Sequence, residues 1–289
     1  MIAMLAAAAL LASSACSPPS GAEALWNPDY RFVIVGELHG TVETPAAFAQ
    51  LVCAAAEQGA VTVALELPTA MQPQLDAFLE ATDDVGAVAI LQSTIFGSVE
   101  MADGRTSLAM VEMMQAIRHL KAEGRDVTIR AFQPSNRRPA SFDQNYYELD
   151  MAVELTRAAA ERPESRVLVL VGNIHASKTR FDRFDLMPAA SHLPRKETVT
   201  LNVAQQGGQA WNCQADGCGP HGLMVRYDAE ARGVIMGPVS EGAWDGVLAL
   251  GPMTASVPAV EERSQSPAAT SSGARAGFVH TEPYPELTR

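Results

Sequence analysis

The chain has 289 residues, 47% hydrophobic and 19% charged, enough for one α/β domain with a full core and tails. Its formal net charge of -12 and the lack of a basic stripe argue against nucleic acid as a partner. No Walker loop occurs, so no nucleotide cofactor is expected, and no repeat is visible.

Residues 1–16, MIAMLAAAALLASSAC, read as a secretory apolar run with a processing site, although the first cation is Arg31. Cys16, followed by SPPSG, has the look of a lipoprotein attachment site, with 17–30 as a tether. The expectation is an exported protein, periplasmic or held at the outer membrane through a lipidated Cys16. Cys213 and Cys218, five residues apart in a polar Gly-bearing stretch, are expected to form a disulfide, and Cys53 to be a core thiol.

Residues 31–36 (RFVIVG) form an unbroken apolar run that suits a strand covered on both faces. Thr44 and Pro45 then open a helix to about 58. Strands are expected at 61–67, 126–132, 166–172 and 198–204, with short edge strands at 223–227 and 247–250. Helices are expected at 71–80, 107–123 and 142–162, and within 83–104 a short helix at 85–91 and a lid at 95–104. This alternation implies a three-layer α/β fold, a largely parallel sheet with helices on both faces and a small Cys-containing β excursion near the C-terminus. The domain is expected to span 31–258, and 259–289 reads as a disordered tail.

Ligands of open α/β sheets bind outside the carboxyl ends of the strands. Glu37, His39 and Glu43 follow the first strand, and Glu66 closes the second. Arg130 and Gln133 are assigned to the third strand end, and Asn173 and His175 follow the fourth. Ionisable groups beside dry strands need partners, which makes such clusters candidate sites. A metal-free reading makes His39 a general base oriented by Glu37, with His175 or Arg130 facing the oxyanion. A metal reading makes His39, His175, Glu37 and Glu66 ligands of Zn, Mn or Fe. Glu43, Arg130 and Asn173 are candidate substrate-binding groups; Glu43 can equally complement the following helix N-terminus.

VGELHGTVETP, ALELP and VLVGNIHA together resemble the superfamily of erythromycin esterase, ChaN-type haem-binding lipoproteins and Tiki/TraB proteases. Glu37, His39, Glu66 and His175 occupy its motif positions, over a resemblance covering roughly 31–250. An Arg-(Asp/Glu)-x-x-Met-Ala pattern common in that superfamily is here Tyr147-Glu148-Leu149-Asp150-Met151-Ala152, with Tyr147 in place of Arg. The resemblance implies hydrolysis of an ester or amide in a small molecule or peptide, or else haem or iron binding. Met113, Met114, Tyr146 and Tyr147 are candidate haem-facing groups, or ordinary core residues. A non-catalytic exported binding protein is the remaining alternative.

Overall fold

In the computed structural model, residues 16–101, 103–135 and 143–260 are described. The expected signal segment, apart from Cys16, and the tail from 261 onward lie outside them. β1 (Phe32–Glu37), β2 (Val61–Pro68), β3 (Val127–Gln133), β4 (Arg166–Gly172), β5 (Thr198–Val203), β8 (Gly233–Val239) and β9 (Trp244–Ala249) form one sheet. Its order is β3-β2-β4-β1-β5-β9-β8. All neighbours are parallel except β8, which runs antiparallel to β9. β6 (Gln209–Gln214) and β7 (Gly217–Gly222) make a separate hairpin, the Cys-containing excursion, closed by the expected Cys213–Cys218 disulfide.

The unbroken apolar strands follow from cover on both faces. Val33, Val35, Leu168 and Leu170 pack against α1 (Glu43–Ala56), α2 (Gln72–Leu79), α3 (Asp84–Gln92) and α4 (Leu108–Ala122), through Phe48, Phe78, Leu91 and Ile117 among others. Phe32, Ile34, Val167 and Val169 face the other way, onto Met151 and Leu155 of α5 (Gln144–Glu161) and onto Trp244. Each such side chain contributes roughly 1.5–3 kcal/mol when fully buried, so β1 and β4 are the firmest ground on which a site can stand.

Several expectations are corrected. Helix α1 starts at Glu43, two residues before Pro45, and Val42 supplies no side-chain cap; the Thr41 hydroxyl donates to that of Thr44 instead. Residues 17–30 are not a tether. Ala22 and Leu25 are buried in a short 3-10 turn, and Val234 N–H donates to the Ser20 carbonyl at 2.7 Å. Burying those two apolar groups pulls the segment onto the sheet.

Cys16 and Cys53 are joined in a disulfide. Cys53 is therefore not a free core thiol, and a Cys16 sulfur bonded to Cys53 is not available for a lipid thioether. The expected lid at 95–104 contains Phe96, which is buried in the core. No strand forms over 223–227, which has one bridge, Gln206 to Val225. The strand is β8, whose Gly237 and Pro238 disguised it.

Candidate functional site

Three neighbouring strands, β2, β4 and β1, end side by side, with Glu37 in register with Gly172. Glu37 is 4% exposed, and its Oε1 lies 3.0 Å from His39 Nδ1. On the other side of that ring, His39 Nε2 is 3.3 Å from Oε2 of the buried Glu66. The same Glu66 oxygen accepts the Gly172 N–H at 2.8 Å. Its Oε1 is 3.7 Å from the Arg105 guanidinium and 3.9 Å from His175 Nε2.

Beyond His175 stands a further carboxylate. Glu148 of α5 is fully buried, with both oxygens 2.8 Å from His175 Nδ1. It also accepts from the Gln144 amide at 2.7 Å and from Ala189 N–H at 2.9 Å, so its lone pairs are well used. The result is an alternating chain of acid and imidazole: Glu37, His39, Glu66, His175, Glu148. The carboxylates are buried, whereas the side chains of His39, His175 and Arg105 are 22%, 17% and 20% exposed. Solvent therefore reaches the cationic groups before the acids that hold them.

The crowding has one geometric condition. A Cβ at Gly172 would stand 3.2 Å from His39 Nε2, 3.3 Å from His175 Cδ2 and 3.5 Å from Glu66 Oε2. Both rings and a carboxylate thus surround one backbone point, and a side chain there would press the two rings by a few tenths of an ångström.

Electrostatics follow from the pairing. Burial alone would lower the His39 pKa, but the Glu66 and Glu37 carboxylates override it and hold it up at about 10. Burial likewise works against charge on His175, and Glu148 and Glu66 raise its pKa despite repulsion from His39. Burial would raise Glu66, yet His39, His175 and Arg105 keep its pKa well below the usual carboxylate range. Arg105 is held firmly cationic by Asp103, against its own burial. Its Nε lies 3.1 Å from Asp103 Oδ2.

The structure thus brings together Glu37, His39, Glu66 and His175. Asn173 lies alongside and donates its backbone N–H to the Glu37 carbonyl at 2.9 Å. Glu43 does not join the cluster: it sits in the first turn of α1 and accepts the Thr254 N–H at 2.8 Å. Arg130 does not reach it either, being a mid-strand residue of β3 paired with Glu161 at the far end of α5. Gln133 ends β3, separated from β4 by β2.

Sequence reasoning missed Glu148 and Arg105. Glu148 did carry a signal, because it falls on the buried stripe of α5 with Met151, Ala152, Leu155 and Ala158. A carboxylate on such a stripe demands a partner. Arg105, in a loop without periodicity, carried none.

The proposed ligand sets fit less well. Both His39 nitrogens face carboxylates, and among the described residues no group of three or more His, Cys, Asp or Glu converges to hold a metal ion. Met113 and Met114 are core residues and Tyr146 is 70% exposed. Of the candidate haem-facing groups only Tyr147 lies beside the cluster, its ring 6.5 Å from that of His175. These four do not form a haem face.

No protein-family model matches the chain, and no curated protein matches its sequence. Solved structures do match in fold. A Bacillus cereus protein superposes with a TM-score of 0.59 at 14% identity, covering 80% of this chain and 90% of its own. Erythromycin esterase EreC, as a His-to-Asn variant in its open conformation, gives 0.60 at 11% identity over 78% and 91%. A succinoglycan biosynthesis protein gives 0.57 at 10% identity over 80% and 90%. At these identities the likeness is one of fold.

Proposed function

We propose that this chain is an exported hydrolase that adds water to an ester or amide bond of a small molecule or peptide. The observation that carries the reading is the Glu148–His175 pair beside a second imidazole held charged at neutral pH. With Nδ1 bound to a buried carboxylate, the neutral His175 tautomer has its proton there and its lone pair on Nε2. That nitrogen, 3.9 Å from Glu66 Oε1, is beyond hydrogen-bond reach of it and free to take a proton from water.

His39 has the opposite disposition. Its pKa of about 10 keeps it an imidazolium at neutral pH, so it is not a base there. It serves with Arg105 as positive charge toward the oxyanion that forms when water adds to the carbonyl. Glu37 and Glu66 hold that imidazolium in place. The roles expected from sequence, His39 as base and His175 as oxyanion partner, are therefore exchanged. The two disulfides suit an oxidising compartment, and the fold shared with an esterase supports the reaction class.

The test is a screen of ester and amide substrates with the unaltered protein, His175→Gln and Glu148→Gln. His175→Gln is expected to lose about 10²–10⁴-fold in kcat, the usual worth of a general base. Activity should rise with pH through the raised His175 pKa, above its ordinary value of about 6.5, because the protonated ring is no base. Glu148→Gln should move that limb to lower pH while cutting the rate. Full activity in His175→Gln sinks the assignment.

A further inference from the structure

The β6–β7 hairpin has little of its own to hold it together. It is an isolated two-stranded unit, marginal by nature, and β7 reads GCGPHG, with three glycines and a proline that cannot donate to the ladder. Half of its strand residues are exposed, and Ala210 alone among them is buried. The Cys213–Cys218 disulfide joins residues directly opposite each other and takes over the work that side-chain packing does elsewhere.

What the hairpin touches gives this a consequence. Trp211 N–H donates to the Gly40 carbonyl at 2.8 Å, one residue from His39. Gly40 has φ +83°, and a Cβ there would stand 2.0 Å from the Trp211 carbonyl oxygen. Gly104, beside Arg105, has φ +93°, and its Cβ would lie 2.7 Å from that same oxygen and 2.8 Å from Gly40 N. Three backbone segments therefore interlock at van der Waals distance, two of them bearing the cationic groups on either side of Glu66. His175 and Glu148 are held elsewhere, by β4 and α5.

We propose that the disulfide hairpin is a redox-controlled clamp that positions His39 and Arg105, closed when Cys213 and Cys218 are joined and released by a dithiol reductant. The proposal rests on reading the cluster as the hydrolytic site and assigns that site its regulation. In the step, a reductant thiolate attacks one hairpin sulfur and the Cys213–Cys218 bond breaks. The second reductant thiol then resolves the mixed disulfide. Two electrons and two protons pass to the hairpin, leaving two thiols there and an oxidised dithiol. With the crosslink gone, Trp211 loses its fixed place against Gly40, and the His39 loop relaxes away from Glu66.

Imidazole NMR titration tests this without a substrate. In Cys213→Ser/Cys218→Ser, the His39 midpoint is expected to fall by about one pH unit or more, as its carboxylate contacts loosen. The His175 midpoint should hold. Cys16→Ser/Cys53→Ser should leave His39 as in the unaltered protein, and adding dithiothreitol to this second variant should reproduce the fall, which covers the case where the first variant fails to fold. An unchanged His39 midpoint with unchanged protection of the Trp211 amide on reduction overturns the clamp. A protein that cleaves no ester or amide but shows the His39 response supports the clamp and refutes the hydrolase reading.

Discussion

The two ends of the central sheet hold similar numbers of charged groups and use them differently. At the amino ends an open cavity of about 790 Å³ is lined by Trp26, Tyr30, Arg31, Gln58, Arg166 and Lys196 among others. Its guanidinium groups are committed to the backbone. Arg31 donates to the carbonyls of Ala159 in the last turn of α5 and of Arg162 and Pro163 just past its end. Arg166 donates to those of Asn27 and Tyr30 and lies over the Trp26 ring at 5.6 Å. At the carboxyl ends, by contrast, acids and imidazoles are bonded to one another, with exchangeable protons between them. The amino end is held by donors committed to backbone carbonyls. The carboxyl end is the one in which proton positions can move, and chemistry depends on that.

The comparison breaks most sharply with paired substitutions. His175→Gln at the carboxyl end should cost orders of magnitude in turnover, as set out above, whereas Arg166→Ala at the amino end should leave kcat within about twofold, since it touches no group of the cluster; parallel kinetics on one substrate decide. Gly172→Ala comes next. The added methyl stands tight against the His39 and His175 rings, at 3.2 and 3.3 Å, and a loss of about tenfold or more in kcat/KM is expected. The stability cost should be about 1–3 kcal/mol, typical of overpacking and readable by urea unfolding. Arg31→Ala should show the reverse balance: about 1–3 kcal/mol of stability lost with its three hydrogen bonds to part-buried and exposed carbonyls, with kcat retained.

Stability against pH sharpens the same contrast. His39 titrates at about 10 in the folded protein and near 6.5 unfolded. Its contribution is therefore complete below about 6.5 and is lost as pH rises toward 10. Glu66 works in the other direction: its pKa is lowered on folding, so its contribution is present above about 4.3 and is lost as pH falls through the folded value. Unfolding free energies should decline on both sides, and His39→Gln should shrink the alkaline decline, leaving the part that comes from the raised His175 pKa. The smallest effect belongs to Glu43→Gln, which weakens one bond to Thr254 N–H. About 0.5–1.5 kcal/mol is expected, with both imidazole titrations unmoved.

Much of the fold was legible in local sequence. The unbroken runs of β1 and β4 and the periodicity of α4 mark elements whose character is set by which faces are apolar. Where a strand lacks that mark, as in β8 with Gly237 and Pro238, pattern reading passed it by. The packed segment at 17–30 was missed for a similar reason, since two buried residues, Ala22 and Leu25, are too few to make a period. For the site, the rule about strand ends reached Glu37, His39, Glu66 and His175. It also gathered Arg130, whose side chain turns to Glu161, because strand assignment alone does not say how far along the strand a residue sits or toward which layer it points.

What the sequence determined by itself is therefore the layering of the molecule and the edge of the sheet where ionisable groups collect. Hydrophobic burial is written residue by residue along each element. The identity of each group's partner was left to the tertiary structure. That Glu148 grips His175, that Arg105 rather than Arg130 faces Glu66, and that Cys16 closes on Cys53 each depend on bringing distant segments within a few ångströms. Hydrogen bonds and ion pairs act only over that range. The protonation of the two imidazoles, and with it their proposed roles, follows from those short distances.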